Sequence, residues 1–221
     1  MPYEFRWDVV WEHLPYLLNG VWITLAVSAA SVSIGLVIGL VVAICRMSRF
    51  RPLSLTMLVY IEFMRNTPAL VKLVWAFYMI PIVLGLDLGV LTSCILALAV
   101  SAGGYMAEIF RAGIQDVSRG DIEAAQALGM RPSQIMRRII LPQAIRKMLL
   151  PFANTFIIYL KYSSLVSVLG VADLTYRAQV ISSSSFRPLE MFTALAFVYF
   201  FLCWGLSYAT GLAERRMSPD V

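Results

Sequence analysis

Few side chains in this 221-residue chain could do covalent chemistry or hold a metal. A phosphate-binding loop ends in Gly-Lys-Ser or Gly-Lys-Thr, whereas the only lysines, Lys72, Lys147 and Lys161, precede Leu73, Met148 and Tyr162. The chain is therefore not expected to hydrolyse ATP. His13 is the sole histidine, so neither an HExxH zinc helix nor a histidine metal cluster can form. Cys45, Cys94 and Cys203 fall in separate apolar blocks without a CxxC pair and read as packed or lipid-facing thiols. The apolar blocks contain no aspartate, which excludes a protease built on two membrane aspartates. No catalytic residue, metal or bound cofactor is expected.

What remains is binding chemistry. An ionised side chain at the bilayer centre costs about 2.5–3.5 kcal/mol on insertion scales, so each one inside an apolar block is a functional candidate. Glu62 and Arg65 stand three apart on one helical face and either neutralise each other or leave Arg65 for a solute. Asn66-Thr67-Pro68 predicts an unwound stretch whose free N–H groups and Thr67 hydroxyl suit a carboxylate. Lys72, further along, reads as a snorkelling side chain. Thr155 and Tyr162 are seven apart and share a face, with Ser163 and Ser164 beside them and Asn154 one step round. Lys161 adjoins that face and either attracts a carboxylate or meets a backbone carbonyl. Arg65, Thr67, Asn154, Thr155, Lys161, Tyr162, Ser163 and Ser164 are the candidate pathway residues.

These positions must be held by membrane helices. Hydrophobic residues make up 60% of the chain and charged residues 14%, against about 45–50% and 25% in soluble domains. Spans are expected at about 19–46, 53–81, 88–107, 148–172 and 191–213, the second interrupted near Pro68. Ser101, Gly103 and Gly104 let a neighbour approach the third span closely. The five spans form a single all-α domain over residues 1–221, with no separate catalytic or regulatory domain expected and no cleavable signal peptide.

The +5 net charge is spread between the apolar blocks and reads as orientation, not nucleic-acid binding. One side carries Arg46, Arg49, Arg51, Arg111, Arg119, Arg131, Arg137, Arg138, Arg146, Lys147, Arg215 and Arg216; the other carries only Arg6, Arg177 and Arg187. The bias places the C-terminus in the cytoplasm and the N-terminus, with Trp7, Trp11 and Trp22, outside. On the outer side, 172–190 with its run Ser182 to Ser185 is polar and loop-like, either a receiving surface or a plain connector.

The long cytoplasmic loop, 108–147, is the one sizeable segment outside the membrane. Ser118 or Asp121 caps a short helix of good helix formers that Gly129 stops, and Pro132 opens a second short helix carrying Arg137 and Arg138. Within it stand Glu123-Ala124-Ala125, Gly129 after three residues, then Ile139 and Leu141-Pro142 after nine more. This pattern resembles the EAA loop of the membrane permeases of ATP-binding cassette importers. The flanking Tyr105, Glu108, Arg111 to Ile114 and Gln143-Ala144 resemble the polar amino-acid branch (histidine, glutamate and glutamine permeases). So do Arg65, Thr67-Pro68, Leu70-Val71, Lys161 and Ser163 to Leu165. The likeness covers about residues 15–216.

The resemblance implies the type I importer (MetI-like) permease fold in a bacterial or archaeal inner membrane. It implies coupling to a separate ATPase dimer through Glu123, Ala124, Ala125, Leu128, Gly129, Arg131, Ile139, Leu141 and Pro142, with ATP and magnesium on that partner. It further implies a second permease subunit, identical or paralogous, and an extracytoplasmic solute-binding protein, with lipid around the spans. Related permeases often carry Glu or Gln at the place of Thr155 and Asp or Asn at that of Tyr162. The departure here argues against a basic substrate and for a neutral or acidic amino acid. Tyr3-Glu4-Phe5, Trp7 and Leu14 to Leu18 lean toward the glutamate/aspartate permeases. Two other functions keep the same topology. A self-sufficient transporter or channel would need an internal repeat and ion-coupling acids, of which only Glu62 is present, and a scaffold in a signalling complex would leave the Thr155–Tyr162 face unexplained.

Overall fold

The computed structural model describes residues 3–85 and 88–217, with the side chains of Leu84 and of 213–217, including Arg215 and Arg216, outside the described residues. Helix α1 (Asp8–Arg46) begins eleven residues before the expected span, so the interfacial lead-in is part of one long helix. It packs along α4 (Val90–Gln115). Close approach is possible because small residues face each other: a Cβ on Gly35 would lie 2.5 Å from the Ala102 Cβ and 3.0 Å from the Ala99 carbonyl oxygen. One turn on, a Cβ on Gly39 would collide with Met106 and stand 3.0 Å from the Gly103 carbonyl. With no hydrophobic effect between helices in lipid, such tight packing and interhelical hydrogen bonds carry the association. Ser31 donates one of these to the Ile95 carbonyl at 3.2 Å. Val27, Cys94, Leu98, Ala102, Tyr159 and Val166 fill the core between α1, α4 and the helix that follows the loop.

Four helices, Asp8–Arg46, Val90–Gln115, Pro132–Leu169 and Pro188–Leu212, are each long and apolar enough to cross a membrane. The expected second span is two helices, α2 (Arg51–Asn66) and α3 (Ala69–Leu84), which qualify together but are bent by 113°. Thr67 and Pro68 are both extended, so the interruption is a full break and not a kink.

The loop departs from expectation in its second half. α4 runs on to Gln115, then α5 (Arg119–Ala127) follows as a separate short helix. The second helix is not short: α6 (Pro132–Ile135) passes through a π segment (Met136–Ile140) directly into α7 (Leu141–Tyr162) and a 3₁₀ turn to Leu169. Pro142 lacks an N–H to continue the α ladder, and the Leu141 N–H reaches back five residues to the Met136 carbonyl, widening the turn instead of breaking it.

Residues 172–190 are not a loop. Asp173 caps α8 (Leu174–Ser185), whose Leu174, Ala178 and Ile181 recur at helical spacing and bury against α1 and α9 (Pro188–Met217). Packing on that stripe overrides the four serines' preference for loops, and Ser184 and Ser185 spend their hydroxyls on the Ile181 carbonyl. Residues 3–6 strap this end: Glu190, fully buried, accepts the Tyr3 hydroxyl at 2.5 Å and the Arg6 N–H at 2.9 Å. Arg187 donates to the Glu4 carbonyl at 2.7 Å.

Gly39→Leu drives a branched side chain into Met106 and the α4 backbone and is expected to remove about 1–3 kcal/mol of stability. Thermal unfolding in detergent, followed by tryptophan fluorescence, checks this against Gly205→Leu, which meets nothing within 4 Å and should not lower the midpoint.

Candidate functional site

The break between α2 and α3 leaves backbone groups that lipid cannot satisfy. In a continuous helix the Met64 carbonyl would accept from residue 68, which is a proline. Lys72 takes its place, donating from Nζ to the Met64 carbonyl at 2.5 Å and to Ser101 Oγ at 2.6 Å. The expectation that Lys72 snorkels is thus corrected: its ammonium is spent inside the protein. Tyr105 donates its hydroxyl to the Arg65 carbonyl at 3.2 Å, and Tyr60 donates to the Val100 carbonyl at 2.5 Å. Glu62 does not pair with Arg65 among the described residues; it accepts from Asn66 Nδ2 at 2.8 Å, which leaves the exposed Arg65 guanidinium free of it.

The expected free amides also shift. The Thr67 N–H is bonded to the Phe63 carbonyl at 3.1 Å. The donors open at the break are those of the first α3 turn, Ala69, Leu70 and Val71, which a helix leaves without intrahelical partners, together with the Thr67 hydroxyl. A cavity of about 330 Å³ adjoins them, lined by Phe63, Thr67, Val71, Lys72, Trp75 and Ile80 among others.

On α7 the polar face divides. Tyr162 is half-buried and packs edge-on against Tyr159 (centroids 5.4 Å apart), which meets Tyr105 at 6.2 Å; Tyr105 in turn bonds the Arg65 carbonyl, so Arg65 and Tyr162 are linked through Tyr105, while Thr67 lines the cavity beside Lys72. Thr155 and Ser163 are buried, donating to the Pro151 and Leu160 carbonyls at 2.8 Å each. Ser164 donates to the Lys161 carbonyl at 2.7 Å, while Asn154 and Lys161 are exposed away from the elbow. Ser101, expected only to permit close packing, also bonds Lys72 and Tyr159; Tyr159 was not singled out from the sequence, and Lys72 was misjudged. The usable signal was the spacing Met64, Pro68, Lys72, which sets an amine one turn beyond the proline that orphans a carbonyl.

At the far end α5 closes with Gly129 at φ 74°, the Met130 N–H returning to the Ala125 carbonyl at 3.1 Å and the Gly129 N–H to Gln126 at 2.9 Å. Ala125 and Ile135 are buried and anchor the loop, whereas Glu123, Ala124, Ala127, Arg131, Leu141 and Pro142 are exposed and Ile139 is half-buried. Leu128 is 83% exposed, an apolar knob that no described residue covers. Gln143 Nε2 donates to Asp121 at 2.9 Å, and Lys147 pairs with Asp116 at 2.6 Å, tying α5 and the end of α4 to α7.

At the opposite end Asp173 is fully buried; Oδ1 accepts the Tyr176 N–H at 2.8 Å, and Oδ2 has no hydrogen-bond partner among the described residues. Arg177 is engaged elsewhere, donating to the Ala172 and Tyr16 carbonyls and lying 4.7 Å over the Tyr16 ring. Burial pushes the Asp173 carboxyl up to about 6 despite the backbone donors that hold it down.

A broken helix capped inside an apolar bundle, with a short helix standing clear of one end, provides the parts of a membrane transport subunit. Residues 35–219 match the family described as binding-protein-dependent transport system inner membrane component. The chain belongs to that family, and with it to the inner membrane. The glutamine transport system permease protein of Escherichia coli K12 is 35% identical over 215 residues, covering 97% of this chain and 98% of its own. The L-cystine transport system permease protein of Bacillus subtilis 168 is 36% identical over 217 residues, covering 97% and 92%. The glutamate/aspartate import permease protein of Escherichia coli O157:H7 is 36% identical over 221 residues, covering 97% and 99%. A crystal structure titled as an amino acid ABC transporter with histidines superposes with a TM-score of 0.91 at 37% identity, over 97% of this chain and all of that one. The inward-facing MetNI methionine ABC transporter shares the fold, with a TM-score of 0.79 at 24% identity over 93% of this chain and 98% of that one. The expected likeness to polar amino-acid permeases and the expected fold are both borne out.

Two outcomes follow from the two ends. Below pH 3.8 Asp173 is protonated whether folded or not; as pH rises toward about 6 the unfolded chain ionises first, so stability falls by a few kcal/mol and then levels off. Asp173→Asn keeps the cap acceptor and should flatten the fall in melting midpoint between pH 4 and 6.5. Gly129→Ala meets no neighbour but must hold a left-handed φ, at about 1–2 kcal/mol; amide exchange at Ala125 to Met130 should quicken while the spans stay protected.

Proposed function

We propose that this chain is the permease subunit of an ATP-driven importer that moves a neutral or acidic amino acid into the cytoplasm by alternating access. The observation that carries the reading is the geometry of α5: a short helix with a hard stop at Gly129, held to α7 by the Asp121–Gln143 bond, presenting Glu123, Ala124, Ala127 and the exposed Leu128 to a partner. A separate ATPase dimer, carrying ATP and magnesium, grips this helix. A second permease subunit, identical or paralogous, completes the pathway, and an extracytoplasmic binding protein delivers solute at the α8 end. The charge bias supports this orientation, with α5 and the C-terminus inside.

Support for an amino-acid cargo comes from the relatives named above and from the elbow. The Thr67 hydroxyl, the positive end of α3 and Arg65 suit a carboxylate, while no acidic side chain of α7 faces them to attract a basic group. Swinging such a pathway from 1:99 to 99:1 takes about 5.5 kcal/mol of differential binding, which nucleotide and partner contacts supply together.

The test is co-purification of the tagged chain from native membranes in mild detergent, with partners identified by mass spectrometry. Wild type should bring down an ATPase subunit; Gly129→Asp should lose most of it and Glu123→Ala part of it. A stable wild-type chain with no ATPase in several detergents would favour a self-sufficient transporter.

A further inference from the structure

We propose that Lys72 is a positioning residue for translocation: its ammonium clamps the α2–α3 elbow, and Thr67 with it, to α4 and α7, so that the elbow and α7 move as one unit. The inference rests on the reading of the chain as an amino-acid permease and deepens it.

Four hydrogen bonds and one aromatic contact form a closed circuit across four helices. Pro68 has no N–H, so the Met64 carbonyl at the end of α2 is open. Lys72, one turn into α3, folds back to it at 2.5 Å and donates a second bond to Ser101 of α4 at 2.6 Å. Ser101 Oγ also accepts the Tyr159 hydroxyl of α7 at 3.0 Å, using both lone pairs on two helices at once. Tyr159 is fully buried and leans on Tyr105, whose hydroxyl returns to the next open carbonyl of α2, at Arg65. The Met64 and Arg65 carbonyls of the last α2 turn are therefore held by groups that connect to α7, Lys72 through Ser101 and Tyr105 through its ring contact with Tyr159. Lys72 and Thr67 line the adjoining cavity together with Phe63, Val71, Trp75 and Ile80, but the ammonium is bonded to two protein acceptors, so in this arrangement it acts on a solute through the elbow it holds.

A test uses the complete complex, with its ATPase and binding protein, in proteoliposomes, with labelled L-glutamine, L-glutamate and L-cystine as probes. Lys72→Met should lower maximal uptake per assembled complex about tenfold while the half-saturating concentration of loaded binding protein changes less than about twofold and ATP hydrolysis continues. Lys72→Arg, which keeps donors, should recover much of the uptake. Ser101→Ala should lower uptake about threefold, and the double variant should be no worse than Lys72→Met, because both cut one circuit. Wild-type uptake by Lys72→Met, a change confined to half-saturation, or multiplying losses in the double variant would overturn the proposal. If Lys72→Met does not assemble, Ser101→Ala decides: reduced uptake per complex supports the clamp and unchanged uptake refutes it. If the wild-type complex hydrolyses ATP yet carries none of the three probes, the amino-acid reading fails separately. The clamp is then judged by amide exchange: residues 64–76 and 155–162 should respond together to ATP in the wild type and separately in Lys72→Met, and a joint response in both refutes it.

Discussion

A bilayer offers the backbone no hydrogen bonds, and that single constraint shapes most of what this chain does with its polar residues. A proline and an extended threonine in the middle of a span would be intolerable if their neighbours' carbonyls faced lipid. Here the carbonyls of Met64 and Arg65 are met by Lys72 and Tyr105, and Tyr60 reaches the Val100 carbonyl alongside. The break is permitted only because α4 presents Ser101, Gly103 and Gly104 at this level, leaving room for the elbow to come within hydrogen-bonding range. A functional irregularity and a tightly packed scaffold are thus two sides of one arrangement.

The same arrangement divides the molecule mechanically. The α1–α4 pair, interlocked through Gly35 and Gly39, is a frame with little freedom to slide. Beside it, tied to α4 by the Tyr159–Ser101 bond, Pro132 to Leu169 runs as one 38-residue body from the end next to α5 through the π segment to the opposite end of the bundle. Movement imposed on α5 therefore reaches Tyr159 and Tyr162 through a continuous helix and the Asp121–Gln143 tie, without needing a chain of weak contacts. The α8 end is built differently: Asp173 caps α8 from a dry site and Glu190 straps residues 3–6 across α9, so this face is closed by buried carboxylates.

Much of this was readable in the residues. Apolar run lengths located the spans, Pro68 located the break, and Gly129 located the end of α5, because each reports a local rule about backbone geometry. The failures share a different cause. Residues 172–190 looked like a loop because serine propensity is local, whereas α8 exists through burial of Leu174, Ala178 and Ile181 against helices distant in sequence. The second loop helix was expected to be short, and only the π segment shows how Pro142 is absorbed in one long helix. Glu62 and Arg65 have pairing distance in their spacing, but Asn66 offers Glu62 a nearer donor. Lys72 was misjudged because one partner is a carbonyl that only the proline four residues on marks as open, and the other, Ser101, lies on a helix distant in sequence. Of the candidate pathway residues, Arg65 and Thr67 sit at the elbow and Tyr162 connects to it through Tyr159 and Tyr105, while Thr155 and Ser163 turn their hydroxyls to their own helix.

The claim on which the account turns is that the α2–α3 break lines a pathway that opens to alternate sides. Thr67→Cys in a background with Cys45, Cys94 and Cys203 replaced by serine or alanine, assembled with its ATPase and exposed to a membrane-impermeant maleimide added from one side, measures this directly. The account predicts that labelling from a given side switches on or off when a non-hydrolysable ATP analogue is bound. Labelling that is absent from both sides in both states, or present from one side and indifferent to nucleotide, would contradict it.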